Sequence, residues 1–207
     1  MKRIAVFVSG SGSNLQTLID ACADKRIDAQ ICAAISNKAG VFALERAEKA
    51  GIPRHIFLKS NYQNTQQMYG DIANLLESFD TDYIVLAGYL GILPPDMIKR
   101  YQNRIINIHP SLLPKYGGNG WYGMRVHRAV LESGDEYTGA TVHFVDEGTD
   151  TGAVICQSKV KVLSSDTAET LQARVLKTEH ILLENAVAAL CDGRIKLDGS
   201  KASIISK

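Results

Sequence analysis

The chain has 207 residues, 45% of them hydrophobic and 22% charged, with a formal net charge of +1. That size suits a single α/β domain with a sizeable core. The near-neutral balance excludes the footprint of a general nucleic-acid binder and an acidic tail. Met1-Lys2-Arg3 runs into an apolar stretch of only five residues, 4–8, too short for a secretory signal or a membrane span. Cys22, Cys32, Cys156 and Cys191 form no CxxC pair, so free thiols in a reducing, cytoplasmic compartment are expected.

In chain order, the run over 4–8 is closed by Ser9-Gly10, the pattern of a buried parallel strand. A Ser/Gly loop follows, then a helix with apolar positions Leu15, Leu18, Ile19 and Cys22. A second strand is expected over 31–35, a helix over 41–50 with Gly51 at its C′ position, and a short strand over 55–58. Helical periodicity returns over 69–76, and 83–87 is a buried strand ending at Gly88. Pro94-Pro95 opens a short helix before a fifth strand over 105–109. This alternation predicts an α/β fold: an open, twisted, mostly parallel sheet, Rossmann-like in its N-terminal half, with strand order 3-2-1-4-5 and helices on both faces.

After Pro114 the pattern changes. Residues 115–123 hold four glycines and three aromatics, the composition of a surface loop. A short helix over 127–132 precedes two strands, 138–145 and 154–162, with no helix between them. They are expected to be antiparallel and to extend the sheet. Asp166-x-x-Glu169 is read as the cap of a long helix over 167–192, whose stripe Leu171, Val175, Thr178, Leu182, Ala186 and Ala189 should face the sheet. Two short β-like pieces, 195–197 and 203–205, end the chain.

Four stretches carry chemistry. Asn107 and His109 share one face of the fifth strand, and Pro110 ends it. An amide and an imidazole at a strand's carboxyl end are groups for stabilising an oxyanion and moving a proton; a core Asn and His satisfied by backbone is the competing reading. Ser9-Gly10-Ser11-Gly12-Ser13-Asn14 lies between strand and helix, where converging N–H groups and the helix dipole favour an anion. Ser11, Ser13 and Asn14 add side-chain donors, and the absence of Gly-Lys-Ser/Thr and G-x-G-x-x-G endings favours one phosphomonoester. The loop after Gly88 falls where the strand order reverses, the usual ligand crevice. Residues 146–152 hold three carboxylates without calcium-loop spacing, so a solvated turn is the default and an Asp beside an imidazole the alternative. His143 stands just before this loop as a second polar group. No HExxH or i,i+4 histidine pair occurs, so no metal is expected.

Taken together, Val8 to Gln16, Ser36-Asn37-Lys38-Ala39, Leu86-Ala87-Gly88-Tyr89, Asn107 to Pro114, Val142-His143-Phe144-Val145, Asp150-x-Gly152 and Arg174-Val175 through Glu179-His180 resemble the glycinamide ribonucleotide formyltransferases, folate-dependent enzymes of purine biosynthesis. The resemblance covers nearly the whole chain. It implies one formyltransferase domain over 1–207, with a phosphate-binding half (1–110) and a folate-binding, catalytic half (111–207). It also implies 10-formyltetrahydrofolate as co-substrate, glycinamide ribonucleotide as acceptor, and no metal. Asn107, His109 and Asp150 would be catalytic. Ser11, Gly12, Ser13, Asn14, Gly88 and Glu179 would hold the ribonucleotide. The surroundings of Tyr89, Leu90, Gly91, Ile92, Leu93, Asn107, His143, Val145 and Asp146 would hold the folate. No nucleic acid or membrane partner is expected, and a monomer or homodimer suits the chain. A formyltetrahydrofolate hydrolase, a methionyl-tRNA formyltransferase and a ligand-binding module on the same scaffold are the alternatives. The chain departs from the family's pattern at Gln66 and Gly91, where Arg is common, and in a longer loop over 117–124.

Overall fold

The computed structural model describes residues 1–199 and 201–206. Its contacts divide the chain into two compact units, Met1–Asn107 and Ile108–Lys207. One seven-stranded sheet runs in the order β3-β2-β1-β4-β5-β6-β7, with strands β1 (Lys2–Val8), β2 (Ala29–Ser36), β3 (Arg54–Ile56), β4 (Tyr83–Leu86), β5 (Ile105–His109), β6 (Tyr137–Phe144) and β7 (Val154–Lys161).

In the first unit, β1 pairs in parallel with both β2 and β4, β2 with β3, and β4 with β5. The expected 3-2-1-4-5 order is present. Ile4 to Val8 have no exposed surface at all, as a strand covered on both faces requires. Each such Ile, Val or Phe side chain contributes roughly 1.5–3 kcal/mol of burial. The connecting helices are α1 (Ser13–Ala23), α2 (Phe42–Lys49), α3 (Thr65–Ser78) and α4 (Pro95–Arg100). α1 packs on α2 and α3 on α4. This pairing follows from right-handed crossovers that reverse direction after β3 and so place the two pairs on opposite faces.

Two boundaries in this unit differ from the sequence reading. α3 starts four residues before Tyr69, at Thr65, because Asn64 caps it by accepting the Gln67 N–H at 2.8 Å. Its first turn is polar and exposed, so periodicity does not mark it. β3 is only Arg54–Ile56, although the Phe57 N–H still reaches the Ser36 carbonyl at 2.8 Å.

In the second unit, β6 and β7 are antiparallel, with a register shift between Val142 and His143. Helix α5 (Met124–Glu132) packs on α6 (Ala168–Cys191), and α6 on β6 and β7. The tail forms a hairpin of β8 (Ile195–Asp198) and β9 (Lys201–Ile204), β9 lying against β7. The cap of α6 is not Asp166/Glu169. Thr167 and Thr170 form a reciprocal capping box, while Asp166 accepts the Leu163 N–H and pairs with Arg174. A threonine hydroxyl at N3 does the job usually given to Glu. The buried stripe of α6 is Leu171, Val175, Glu179, Leu183, Ala186, Val187, Ala189 and Leu190, with Thr178 and Leu182 only half-buried. The steady i+4 step drifts the face by one residue and brings a carboxylate, Glu179, into it.

No helix among the described residues is long and apolar enough to cross a membrane, and all four cysteines are free.

His127, on the inner face of α5, is 1% exposed, and its Nδ1 has no hydrogen-bond partner. Burial lowers its pKa to about 4. The unfolded chain takes up this proton near pH 6.5 and the folded one only near 4, so stability is complete above 6.5 and is lost as pH falls between them. Relative to a His127→Leu variant, the protein should lose about 2 kcal/mol in urea unfolding between pH 7.5 and pH 5. An equal pH slope in both proteins would remove His127 from the acid response.

Candidate active site

The Ser/Gly loop over 9–14 is built from the end of β1 and the start of α1. Gly12 is the N-cap of α1 at φ 72, and a Cβ there would lie 2.5 Å from the Ala43 Cβ. Only glycine lets the loop press on α2 in that conformation. Ser11 is exposed, Ser13 half-buried and Asn14 buried. The first helical bond is Gln16 N–H to the Gly12 carbonyl at 2.9 Å, so helix geometry gives the N–H groups of Ser13, Asn14 and Leu15 no intrahelical acceptor.

The Gly88 loop is tied to the same strand end. Gly88 accepts from the Ser9 N–H at 3.1 Å, and the Leu90 N–H donates to Ser9 Oγ at 2.9 Å. Ser9 Oγ donates in turn to Asn37 Oδ1 at 2.6 Å. This buried hydroxyl joins three strand ends, a role that the sequence reading, which saw only a turn residue, missed. Tyr89 and Leu93 point inward, at 8% and 6% exposure, whereas Leu90 and Ile92 are 45% and 62% exposed. The Tyr89 ring meets Phe7 edge-on at 5.2 Å, and its hydroxyl meets that of Tyr69 at 3.0 Å.

Asn107 lies half-buried on β5, and His109 ends that strand at 4% exposure. In the second unit, His109, Asp150 and His143 come together. Nε2 of His109 is 2.7 Å from the Tyr116 carbonyl, and Nδ1 is 3.5 Å from Asp150 Oδ2. Nδ1 of His143 is 2.8 Å from the Phe144 carbonyl, and Nε2 is 3.5 Å from Asp150 Oδ1. A carbonyl can only accept, so each ring carries an N–H on the nitrogen turned to backbone. On His109 the nitrogen facing Asp150 is therefore the one without an N–H when the ring is neutral. The Gly118 N–H donates to Asp150 Oδ2 at 3.0 Å.

Burial pushes His109 below the usual imidazole range, with the Asp150 charge and the Tyr116 bond opposing it and His143 adding to it. For Asp150, burial acts to raise the carboxyl. The His143 hydrogen bond, the His109 charge and the Gly118 N–H outweigh it and hold the group below its ordinary value. At neutral pH the free site is an ionised carboxylate beside a neutral His109.

Asp150 and Tyr116 both have positive φ, 60 and 54, a conformation that non-glycine residues keep only when their surroundings over-determine it. The turn that aims the Tyr116 carbonyl is anchored by Thr141. Its hydroxyl donates to the Ser111 carbonyl at 2.7 Å and accepts from Leu113 N–H at 3.1 Å and Gln157 at 2.8 Å. Asp146, exposed, accepts from the Gly148 N–H and Thr151 and so shapes the loop before Asp150; Val145 is half-buried. Glu179 is 8% exposed on α6. No group of three or more His, Cys, Asp or Glu among the described residues could hold a metal ion.

Residues 2–187 match the formyl transferase family. The phosphoribosylglycinamide formyltransferase of Haemophilus influenzae is 42% identical over 207 residues, covering 100% of this chain and 95% of the relative. The Escherichia coli protein of the same name is 41% identical over 199 residues, covering 96% and 92%. The crystal structure of glycinamide ribonucleotide transformylase 1 from Symbiobacterium toebii has a TM-score of 0.94 at 37% identity, covering 100% of this chain and 95% of that one. By its strand order, its near-complete match and these full-length similarities, this chain belongs to the phosphoribosylglycinamide formyltransferase family.

Proposed function

We propose that the chain transfers the formyl group of 10-formyltetrahydrofolate to the amine of glycinamide ribonucleotide, with Asn107, His109 and Asp150 as the catalytic residues. The observation that carries this reading is the neutral His109 whose free Nδ1 faces an ionised Asp150 at 3.5 Å. The substrate amine attacks the formyl carbon and forms a C–N bond, and the carbonyl oxygen becomes an oxyanion. The Asn107 amide donates to that oxygen, a contact worth on the order of 10²–10³ in rate. The proton of the attacking ammonium passes to Nδ1 of His109. The resulting imidazolium, held by the Tyr116 carbonyl and Asp150, stabilises the oxyanion by its charge. The proton then goes to N10 of the folate as the C–N10 bond breaks, which restores the neutral ring.

In this reading Ser11, Gly12, Ser13 and Asn14 hold the substrate phosphate. The turn at Gly88 leaves room beside it, and Glu179 accepts from the ribose hydroxyls. The backbone of Tyr89, Leu90, Gly91, Ile92 and Leu93, with Asn107, His143, Val145 and Asp146, lines the pterin site. Exposed Leu90 and Ile92 offer an apolar face to the ring. The scheme needs no metal. The free cysteines support a cytoplasmic enzyme.

The deciding assay follows folate absorbance with 10-formyltetrahydrofolate, with and without glycinamide ribonucleotide. Deformylation only with the amine present is expected; deformylation without it would make the protein a hydrolase.

Asp150→Asn should bind both substrates normally and lose turnover by roughly 10²–10⁴-fold, because an amide N–H would cap the lone pair of His109 Nδ1 that must take the proton. Unchanged turnover would remove Asp150 from the mechanism. The acid limb of kcat/KM should fall below pH 6.5, the activity being lost as His109 protonates. A limb above that value would contradict a neutral, buried His109.

A further inference from the structure

Arg46, on α2, touches the phosphate-type loop without belonging to it. Its Nε donates to the Ser11 carbonyl at 2.9 Å and its Nη1 to Gln16 Oε1 at 3.0 Å. Gln16 is held in turn through its own amide, 2.8 Å from Asp20 Oδ1. The guanidinium lies 4.6 Å from the centre of the Phe42 ring. Three contacts therefore fix one rotamer of a long side chain.

The consequence lies in the peptide planes. In a trans peptide the C=O of one residue and the N–H of the next point in opposite directions. The Gly10 carbonyl accepts from the Ala43 N–H at 3.1 Å, so the Ser11 N–H points away from α2. The Ser11 carbonyl accepts from Arg46, so the Gly12 N–H points away from α2 as well. Two successive amides thus face the side opposite α2, and they continue into the open first turn of α1, which makes an anion-binding concavity. Ala43 is a backbone donor that any residue but proline would supply. Arg46 is a side-chain donor, which only some residue types could supply at that place.

We propose that Arg46 is a positioning residue for phosphate binding: it locks the Ser11–Gly12 peptide so that its N–H faces the phosphate, and it brings a fixed positive charge to the loop. This rests on the reading of 9–14 as the phosphate loop. Lysine is a weaker substitute, since it keeps the charge but has no planar fork to grip Ser11 and Gln16 together.

The test titrates wild type, Arg46→Met and Arg46→Lys with inorganic phosphate and with glycinamide ribonucleotide by calorimetry, beside steady-state kinetics and thermal melts. Arg46→Met should weaken phosphate binding and raise the KM for the ribonucleotide roughly 10- to 100-fold, the effect of one charge-assisted hydrogen bond. The kcat and the KM for folate should change little, and Arg46→Lys, folded like wild type, should recover part of the loss. Wild-type phosphate affinity in a folded Arg46→Met, or a folded Arg46→Lys as weak as the Met variant, would overturn the proposal. Wild type that binds neither phosphate nor ribonucleotide would overturn the phosphate-loop reading itself, and this proposal with it.

Discussion

Asp150 is a carboxylate at φ 60, with only 13% of its side chain exposed, set between two imidazoles that have each already used an N–H on a backbone carbonyl. An ionised group buried this far costs several kcal/mol unless its neighbours answer its charge. The Gly118 N–H donates to it, and the two ring nitrogens approach it at 3.5 Å, where a proton taken up by a ring would face the carboxylate. Much of the surrounding backbone serves to place those three groups. The register shift between Val142 and His143 re-aims the β6 side chain. Gly152 lets the returning chain pass where a Cβ would lie 1.9 Å from the Phe144 carbonyl oxygen, the acceptor that holds His143.

The same logic reaches outward from His109. Its tautomer is set by the Tyr116 carbonyl, and that carbonyl is set by a turn with no regular secondary structure. Ser111 donates to the Lys115 carbonyl at 2.6 Å, and Thr141 uses its one donor and two acceptor sites on Ser111, Leu113 and Gln157. Tyr116 is also anchored by its ring: its hydroxyl donates to Asp135 at 2.8 Å and meets Ser133 at 2.6 Å. The His109 imidazole is thus positioned by hydroxyl groups on a strand and a turn.

The fold was legible where a single chemical pattern repeats. β1 and β4 carry continuous apolar runs, and the missing helix between β6 and β7 gave their antiparallel pairing. The ends of elements were less legible, because caps act through one hydrogen bond. Asn64 starts α3 a full turn before its periodicity begins, and Thr170 replaces the acidic partner expected at α6. Within the candidate site, His109 and His143 were legible because they are chemically distinctive and stand at strand ends, whereas Asp150, in a loop read by default as a solvated turn, was singled out only by the family resemblance. Tyr116, Ser9 and Arg46 were not legible. The first acts through a backbone carbonyl, which has no side-chain signature, the second reads as an ordinary turn serine, and the third meets Ser11 from 35 positions away.

The departures at positions 66 and 91 have local structural counterparts. The Gln66 amide donates to Asp96 Oδ2 at 2.8 Å, so the side chain is used within its own unit. At Gly91 a Cβ would lie 2.5 Å from Tyr89 Cε1 and 2.6 Å from the Tyr69 hydroxyl. Burial raises the pKa of both phenols, so the pair stays neutral and one hydroxyl donates to the other. The two rings therefore occupy the space that a larger residue at 91 would need. An arginine introduced there alone would meet a buried, hydrogen-bonded tyrosine pair rather than open solvent. Positions 69, 89 and 91 form one packing unit, and a change of side-chain size at 91 requires a compensating change at 69 or 89.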